Sequence, residues 1–149
     1  MPKIQGSLNL HAATLDYPVE TFAMFSSIYG LLGARDLAPY AAANAFQDGL
    51  AAARARQGLP ALAVSWGTWA DAGMAHRFGA GFEARVKSTG MRFVPLDAGL
   101  RVLAALAADP ESWPNASVFP ADWRAYAAHR RSLGAARAMR GLRADSSPN

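Results

Sequence analysis

Two short apolar runs on either side of a long alanine-rich segment constrain the fold of this chain most strongly. The runs are residues 20–27 (ETFAMFSS) and 59–66 (LPALAVSW), and both have the length and composition of buried strands. The segment between them, about 38–56, has high helix propensity and is followed by Gln57-Gly58, a typical C-cap signal. Strand, helix and strand in this order form a parallel pair. We therefore expect a parallel sheet, with a loop directly after the first strand.

The flanking segments continue the same alternation. Residues 3–14 place Ile4, Leu8 and His11 on one side of a helix. After the second strand, the pattern predicts helices at about 76–88 and 96–108, a strand at 117–119 and a helix from about 120. A doubly wound α/β sheet has this order but normally has about six strands, built from two halves. The sequence therefore predicts the C-terminal half of a Rossmann-like doubly wound parallel sheet, with the nucleotide-binding half expected upstream.

The composition excludes several kinds of site. With 52% hydrophobic and 17% charged residues among 149, the chain can bury a core. It has no cysteine, which excludes disulfides, thiolate zinc sites and a cysteine nucleophile, and its three histidines lie too far apart in sequence to suggest a metal cluster. There is no signal-peptide pattern, and no apolar run approaches the roughly 18 residues of a membrane span. We expect a cytoplasmic protein without a metal or a membrane partner.

Basic charge is concentrated near the end of the chain. The first 122 residues carry nine basic and ten acidic side chains, whereas residues 123–149 carry six arginines and one aspartate. Such a segment suits nucleic acid or an acidic protein partner. Only Trp123 and Tyr126 supply aromatic side chains there, so a solvated helix face leading into a linker explains the arginines better than nucleic acid does. The prediction is a folded body, 1–131, and a basic flexible tail, 132–149.

Three polar side chains are expected to meet at one end of the sheet. Ser27 ends the first strand, where ligands lie in open α/β sheets. Tyr40 opens the long helix thirteen residues later, and Asn44 follows one turn further on the same face. Spacing alone leaves structural explanations open: Ser27 as a strand end, Tyr40 as a core residue near a helix start, and Asn44 as a local hydrogen-bonding group.

Residues 25–75 (FSSIYGLLGARDLAPYAAANAFQDGLAAARARQGLPALAVSWGTWADAGMA) resemble the active-site half of a modular polyketide synthase ketoreductase domain. That family belongs to the short-chain dehydrogenase/reductase superfamily. The resemblance extends back through NLH (9–11) to Lys3 and forward to FPADW (119–123), and it covers about residues 2–131. It implies NADPH-dependent reduction of a β-ketoacyl thioester that is tethered to an acyl carrier protein, with the body of this chain as the catalytic half.

The resemblance also assigns a catalytic tetrad. Tyr40 matches the family's catalytic tyrosine and Ser27 its serine; in this subfamily the asparagine stands four residues after the tyrosine, as Asn44 does, and the lysine lies on the preceding helix, as Lys3 does. Tyr40 would protonate the carbonyl oxygen and Ser27 would hold it. A tyrosine with an ordinary pKa of about 10 is a slow acid at pH 7, so an ammonium that stabilises the phenolate helps. Lys3 would supply it and bind the nicotinamide ribose, Tyr40 would also contact the ribose and nicotinamide end of the cofactor, and Asn44 would anchor a water chain. On composition alone, Lys3 is an exposed N-terminal lysine.

Further positions follow from the same resemblance. Trp66 and Gly67 would lie in a loop that runs beside the nicotinamide, and Met74 would begin the lid over the substrate. Structural roles are equally compatible with the sequence: Trp66 as an interface aromatic residue and Met74 as a core methionine. Leu32 stands on the substrate side where one stereochemical class carries tryptophan, which favours a D-configured hydroxyl. The segment GAGFEA (79–84) has the form GxGxxA but follows no strand, and it suits a hinge better than a phosphate-binding turn.

Three functions from different classes remain possible at this point. The first is the ketoreductase, with a cofactor-binding half supplied in cis or in trans. The second is a non-catalytic remnant or scaffold fragment of a split synthase that lacks its own cofactor site. The third is a binding module with a basic tail, for which strongly salt-dependent retention on nucleic acid would be the signature.

Overall fold

The computed structural model describes residues 2–33, 37–70 and 80–132, and six helices and three strands lie within these ranges. The first part of the chain contains α1 (Pro2–Ala13), β1 (Ala23–Ser27), α2 (Ile28–Leu32), α3 (Ala38–Arg56) and β2 (Leu62–Trp66). The remainder contains α4 (Ala80–Ser88), α5 (Leu96–Ala108), β3 (Asn115–Val118) and α6 (Trp123–Ser132). The predicted alternation of strands and helices is confirmed.

The three strands form one parallel sheet in the order β1-β2-β3. Ser26 of β1 lies opposite Ser65 of β2, and Ser27 opposite Trp66. The carboxyl ends of all three strands therefore meet at one edge of the sheet, as the crossover connections require. The central strand β2 is buried along its whole length, whereas Phe25 of the outer strand β1 is 49% exposed. This is the predicted portion of a doubly wound parallel sheet.

Helix α3 has clear sequence signals at both ends. Pro39 lies in its first turn, where the missing N–H costs nothing because first-turn N–H groups have no partner inside the helix. At the other end Gly58 has a φ of +70°, and its N–H donates to the Ala55 carbonyl, while the N–H of Leu59 donates to the Arg54 carbonyl. These two bonds form a Schellman motif, so the predicted glycine stop is confirmed.

Apolar side chains pack on both faces of the sheet and at its carboxyl edge. One cluster joins β1 to α3 through Phe22, Met24 and Ala51. A second packs Val64 and Trp66 of β2 with neighbouring residues that include Leu103 and Leu106 of α5. A third cluster lies beyond the strand ends and groups Ile28 of α2, Val86 of α4 and Tyr126 of α6 with Met91, which lies after α4. The carboxyl edge is thus bordered by helices.

One expectation about local structure was wrong. The segment after β1 forms the short helix α2 instead of a loop, because Ser27 caps it: the Ser27 Oγ accepts from the Tyr29 N–H at 3.4 Å. The predicted helix α1 is present, but its apolar side is not fully buried: Ile4 is half-buried and Leu8 is 39% exposed. The buried residue of α1 is Ser7. The α1 side chains that form hydrogen bonds with α3 are Lys3, Ser7 and His11. Among the described residues, no helix combines the length and hydropathy that crossing a membrane would require.

Candidate active site

Ser27, Tyr40 and Asn44 come from adjoining elements at the carboxyl edge. Ser27 is buried and is both the last residue of β1 and the N-cap of α2. Tyr40 lies half-buried in the first turn of α3, and Asn44, fully buried, lies one turn further. The Asn44 Nδ2 donates to the Tyr40 carbonyl oxygen at 2.7 Å. This bond turns the Asn44 Oδ1 away from the Tyr40 backbone, where it can accept from another group.

That group is the ammonium of Lys3, which reaches α3 from α1. Its Nζ donates to the Asn44 Oδ1 at 2.7 Å, to the Phe25 carbonyl at 2.6 Å and to the Gln47 Oε1 at 2.9 Å. An ammonium has three N–H donors, so each has a protein acceptor here. The Nζ also lies 5.9 Å from the centre of the Tyr40 ring. Lys3 is therefore held in a fixed position beside the tyrosine.

Burial is the main electrostatic effect on Lys3. It lowers the pKa of the ammonium below the ordinary 10.5 because desolvation disfavours the charged form, and the negative charge of Asp48 opposes this shift. The cation–ring distance and the three acceptors argue against the reading of Lys3 as an unattached surface lysine. The geometry places a positive charge close to the only tyrosine in the first turn of α3.

Serine side chains link the strands to α3 behind the site. The Ser26 Oγ donates to the Asn44 carbonyl at 3.1 Å, and the Ser65 Oγ lies 3.4 Å from the Ser26 Oγ. The Ser65 Oγ also lies 3.3 Å from both carboxylate oxygens of Asp48. Because Ser26 and Ser65 are paired across the sheet, these contacts fix the height of α3 along the strands. They hold Asn44 in register with the strand ends.

Close backbone packing fixes α2 against α3. A Cβ at Gly30 would lie 2.9 Å from the Ala45 backbone nitrogen and 3.2 Å from the Asn44 Cβ, so a glycine is needed at this crossing. Since Ser27 is the N-cap of α2, the approach also sets the distance between Ser27 and the α3 residues. Gly30 follows Ser27 by three residues in the sequence, so the glycine at the helix crossing lies one turn after the residue that caps α2.

The remaining predicted residues have mixed surroundings. Trp66 is 3% exposed and packs against Phe25 and Trp69, and its buried Nε1 has no hydrogen-bond partner among the described residues. Gly67 is buried, and its N–H donates to the Val118 carbonyl at 2.9 Å. A Cβ at Gly67 would lie 2.6 Å from the Phe119 Cβ, which explains the glycine by packing. Leu32 is partly buried and packs against the cluster formed by Ile28, Val86, Met91 and Tyr126.

Other predictions lie outside the described residues. These are the lid assignment of Met74, the start of the GAGFEA hinge at residue 79, and the basic tail beyond residue 132. His76 is also outside them, and the described part of the chain contains no group of three His, Cys, Asp or Glu side chains that could hold a metal ion.

Sequence reasoning missed three polar residues of α3. Gln47 is 7% exposed and contacts Lys3, Asp48 contacts Ser65, and Arg54 is only 1% exposed. Arg54 donates to the Pro60 carbonyl and to the His11 Nδ1, and stacks on the Phe22 ring at 3.8 Å. The spacing of Asn44, Gln47 and Arg54 places these side chains on one face of an alanine-rich helix, and this signal was available in the sequence.

The chain is similar to part of known polyketide synthases. Residues 1–71 match the family model described as the KR domain. The polyketide synthase GfsB of Streptomyces halstedii is 42% identical over 113 residues, which is 75% of this chain and 2% of that protein. The spectinabilin polyketide synthase system protein NorB of Streptomyces orinoci is 46% identical over 114 residues, 75% of this chain and 5% of that protein.

Solved structures agree with the sequence matches. The structure described as the first ketoreductase of the tylosin PKS superposes with a TM-score of 0.78 at 36% identity, over 91% of this chain and 29% of that one. An A-type ketoreductase from a modular polyketide synthase gives 0.77 at 31% identity, over 84% of this chain and 26% of that one. The chain thus spans less than a third of each ketoreductase structure. Sequence and fold together support a fragment of a polyketide synthase KR domain, of the short-chain dehydrogenase/reductase type.

Proposed function

We propose that this chain supplies the catalytic residues for NADPH-dependent reduction of a β-ketoacyl thioester, tethered to an acyl carrier protein, to the β-hydroxyacyl thioester. The observation that carries the proposal is the placement of the Lys3 ammonium between Asn44 and the Tyr40 ring at the carboxyl edge of the sheet. Tyr40 and Ser27 belong to elements that adjoin at this edge. A proton donor, a hydrogen-bond donor and a cation are the groups that ketone reduction needs.

The residues present fit the nicotinamide end of such a cofactor. Bound NADPH supplies the hydride. Lys3 offers a cation for a ribose hydroxyl, and the buried Trp66 Nε1 is a donor without a partner in the described part of the chain. The sequence contains no glycine-rich phosphate-binding turn in a strand–turn–helix context, so the pyrophosphate would be held by another segment or chain.

The chain's own residues would act as follows. The Tyr40 hydroxyl donates its proton to the carbonyl oxygen as negative charge develops there, and the Ser27 hydroxyl donates a hydrogen bond to the same oxygen. The Lys3 ammonium stabilises the resulting phenolate because opposite charges attract strongly in a partly buried site. Asn44 keeps Lys3 in place through its Oδ1. The phenolate then regains a proton from solvent.

One observation favours the alternative of a non-catalytic remnant or scaffold fragment. All three Lys3 donors already have protein acceptors, so a ribose hydroxyl has to displace or share one of them. The Phe25 carbonyl is the acceptor on the outer strand β1, at a residue whose side chain is exposed. In the catalytic proposal this bond is exchanged for the ribose when the cofactor binds.

Reconstitution tests the two functions against each other. The chain is joined to the upstream half of a related ketoreductase, and consumption of NADPH and of NADH is followed with a β-ketoacyl thioester, free and carrier-bound. We expect NADPH consumption that depends on the thioester. Ser27→Ala should lower turnover about tenfold, the loss of one hydrogen bond, while the exposed Ser112→Ala leaves it unchanged. A folded domain that binds cofactor but never reduces the thioester would favour the scaffold.

A further inference from the structure

Gln47 is the third acceptor of the Lys3 ammonium, and the sequence resemblance assigns it no role. Its Oε1 lies 2.9 Å from the Lys3 Nζ, and its side chain is 7% exposed. It stands three residues after Asn44 on the same face of α3. The ammonium is thus held by two amide oxygens from successive turns of one helix.

The orientation of the Gln47 amide follows from its partners. Lys3 has only donors, so the oxygen of the amide must face it, and the nitrogen must face elsewhere. The Nε2 donates to the Ser7 Oγ at 3.1 Å. Ser7 is 5% exposed and lies one turn after Lys3 on α1. The same glutamine therefore binds α1 at two successive turns, once through the oxygen and once through the nitrogen.

We propose that Gln47, oriented by Ser7, is a positioning residue that holds the Lys3 ammonium beside Asn44 and Tyr40. The inference deepens the proposed function and rests on it for its kinetic consequences, but the contact itself can be tested without activity. Gln47 touches neither substrate nor cofactor in this account. It acts through Lys3.

The charge state of Lys3 gives the contact a measurable signature. Among the described residues, the charged or titratable groups that act on the ammonium are Asp48, by its negative charge, and Tyr40, by its ring. The neighbouring acceptors Phe25, Asn44 and Gln47 are uncharged. An acceptor stabilises the charged form, so its removal must lower the pKa of Lys3 further, and a carboxylate in its place must raise it.

The chain contains only two lysines, Lys3 and the exposed Lys87, which pairs with Glu83 on α4. Nuclear magnetic resonance of the nitrogen-labelled lysine side chains of the full chain therefore gives one signal for the site and one internal reference. Titrations compare the wild type with Gln47→Met, which keeps the length of the side chain but not its acceptor, and with Gln47→Glu. Gln57→Met is the matched control, because Gln57 is an exposed glutamine just after the same helix.

We expect opposite shifts in the two Gln47 variants. The midpoint of Lys3 should fall in Gln47→Met and rise in Gln47→Glu, with Lys87 unchanged in both and no change in Gln57→Met. If the two substitutions only disturbed packing, the Lys3 midpoint would not shift in opposite directions in the two variants. Ser7→Ala, which leaves the Gln47 oxygen in place but frees its nitrogen, should shift Lys3 in the direction of Gln47→Met by less, and it serves if Gln47→Met does not fold.

A kinetic measurement adds an independent criterion in the reconstituted ketoreductase domain. Gln47→Met should lower kcat about tenfold, the effect of one hydrogen bond to a charged group, and leave KM for the thioester unchanged. Gln47→Glu should recover most of the loss. Lys3 midpoints that are identical in all variants would overturn the proposal. Opposite shifts in an inactive wild-type domain would support the contact and refute the proposed function.

Discussion

Replacing Gly30 with alanine tests the crossing of α2 and α3 that sets the geometry of the site. The new Cβ would lie 2.9 Å from the Ala45 nitrogen and 3.2 Å from both the Asn44 carbonyl carbon and its Cβ. The nearest atom is backbone in the middle of a 19-residue helix, so it cannot move aside as a side-chain tip can. We expect α2 to shift away from α3 by a few tenths of an ångström, carrying Ser27 with it.

Two opposing terms determine the stability of this variant. Overpacking of this kind costs about 1–3 kcal/mol, whereas alanine in place of glycine in a helix contributes about 0.5–1 kcal/mol. The net loss in free energy of unfolding should be about 0–2.5 kcal/mol. Because reacting groups must be aligned closely, the displaced Ser27 should also lower turnover of the reconstituted domain about tenfold.

Urea unfolding and thioester reduction measure the two effects, and Gly49→Ala is the control. Gly49 lies on the exposed side of α3, and a Cβ there would meet nothing within 4 Å. This variant should be more stable by about 0.5–1 kcal/mol with full activity, since only the helix propensity changes. A stabilised and fully active Gly30→Ala would refute the close approach of the two helices.

Two further predictions concern charges held between α1 and α3. Arg54→Ala should lower the free energy of unfolding by about 2–4 kcal/mol because it leaves a cavity and an unpaired Pro60 carbonyl, while the exposed Arg56→Ala should change it by less than about 0.5 kcal/mol in urea unfolding. Burial lowers the pKa of Lys3 below 10.5. At pH values between the lowered pKa of Lys3 in the folded chain and its ordinary pKa of 10.5 in the unfolded chain, the unfolded chain binds more protons. The Lys3 contribution to the free energy of unfolding therefore rises with pH over this range. In alkaline buffers the slope of this free energy against pH should be more positive in the wild type and in Lys87→Met than in Lys3→Met, a comparison that removes the opposing effect of Tyr29 and Tyr126, whose pKa values burial raises.

The sheet and its long helix were predictable because their signals are local. Helix α3 was predicted with its observed bounds from alanine content and the Gln57-Gly58 stop, and parallel pairing followed from the helix between two strands. The strand bounds were less accurate: the first apolar run begins at residue 20, but pairing with β2 begins at Ala23. Pairing depends on the neighbouring strand, which a single segment does not encode.

The contact between α1 and α3 was not predictable from apolar periodicity. A search for apolar spacing favours Ile4 and Leu8, but the contact is made by Ser7, Lys3 and His11 with amide and guanidinium groups of α3. A polar interface requires that each donor meet an acceptor across two helices, and only the assembled fold provides those pairs. Likewise, the α2 helix depends on capping by Ser27, a residue whose strand position was recognised first.

The most direct test of the central claim is the turnover of Tyr40→Phe in the reconstituted domain. The change removes one hydroxyl from a half-buried ring, so the fold should persist, but the proton donor of the site is lost. Turnover of the β-ketoacyl thioester should fall by about 10²- to 10⁴-fold, the usual contribution of a general acid. Tyr17→Phe, at an exposed tyrosine, should retain full turnover. If Tyr40→Phe keeps more than about a tenth of wild-type turnover, well above the general-acid range, Tyr40 is not the proton donor and the assigned tetrad is wrong.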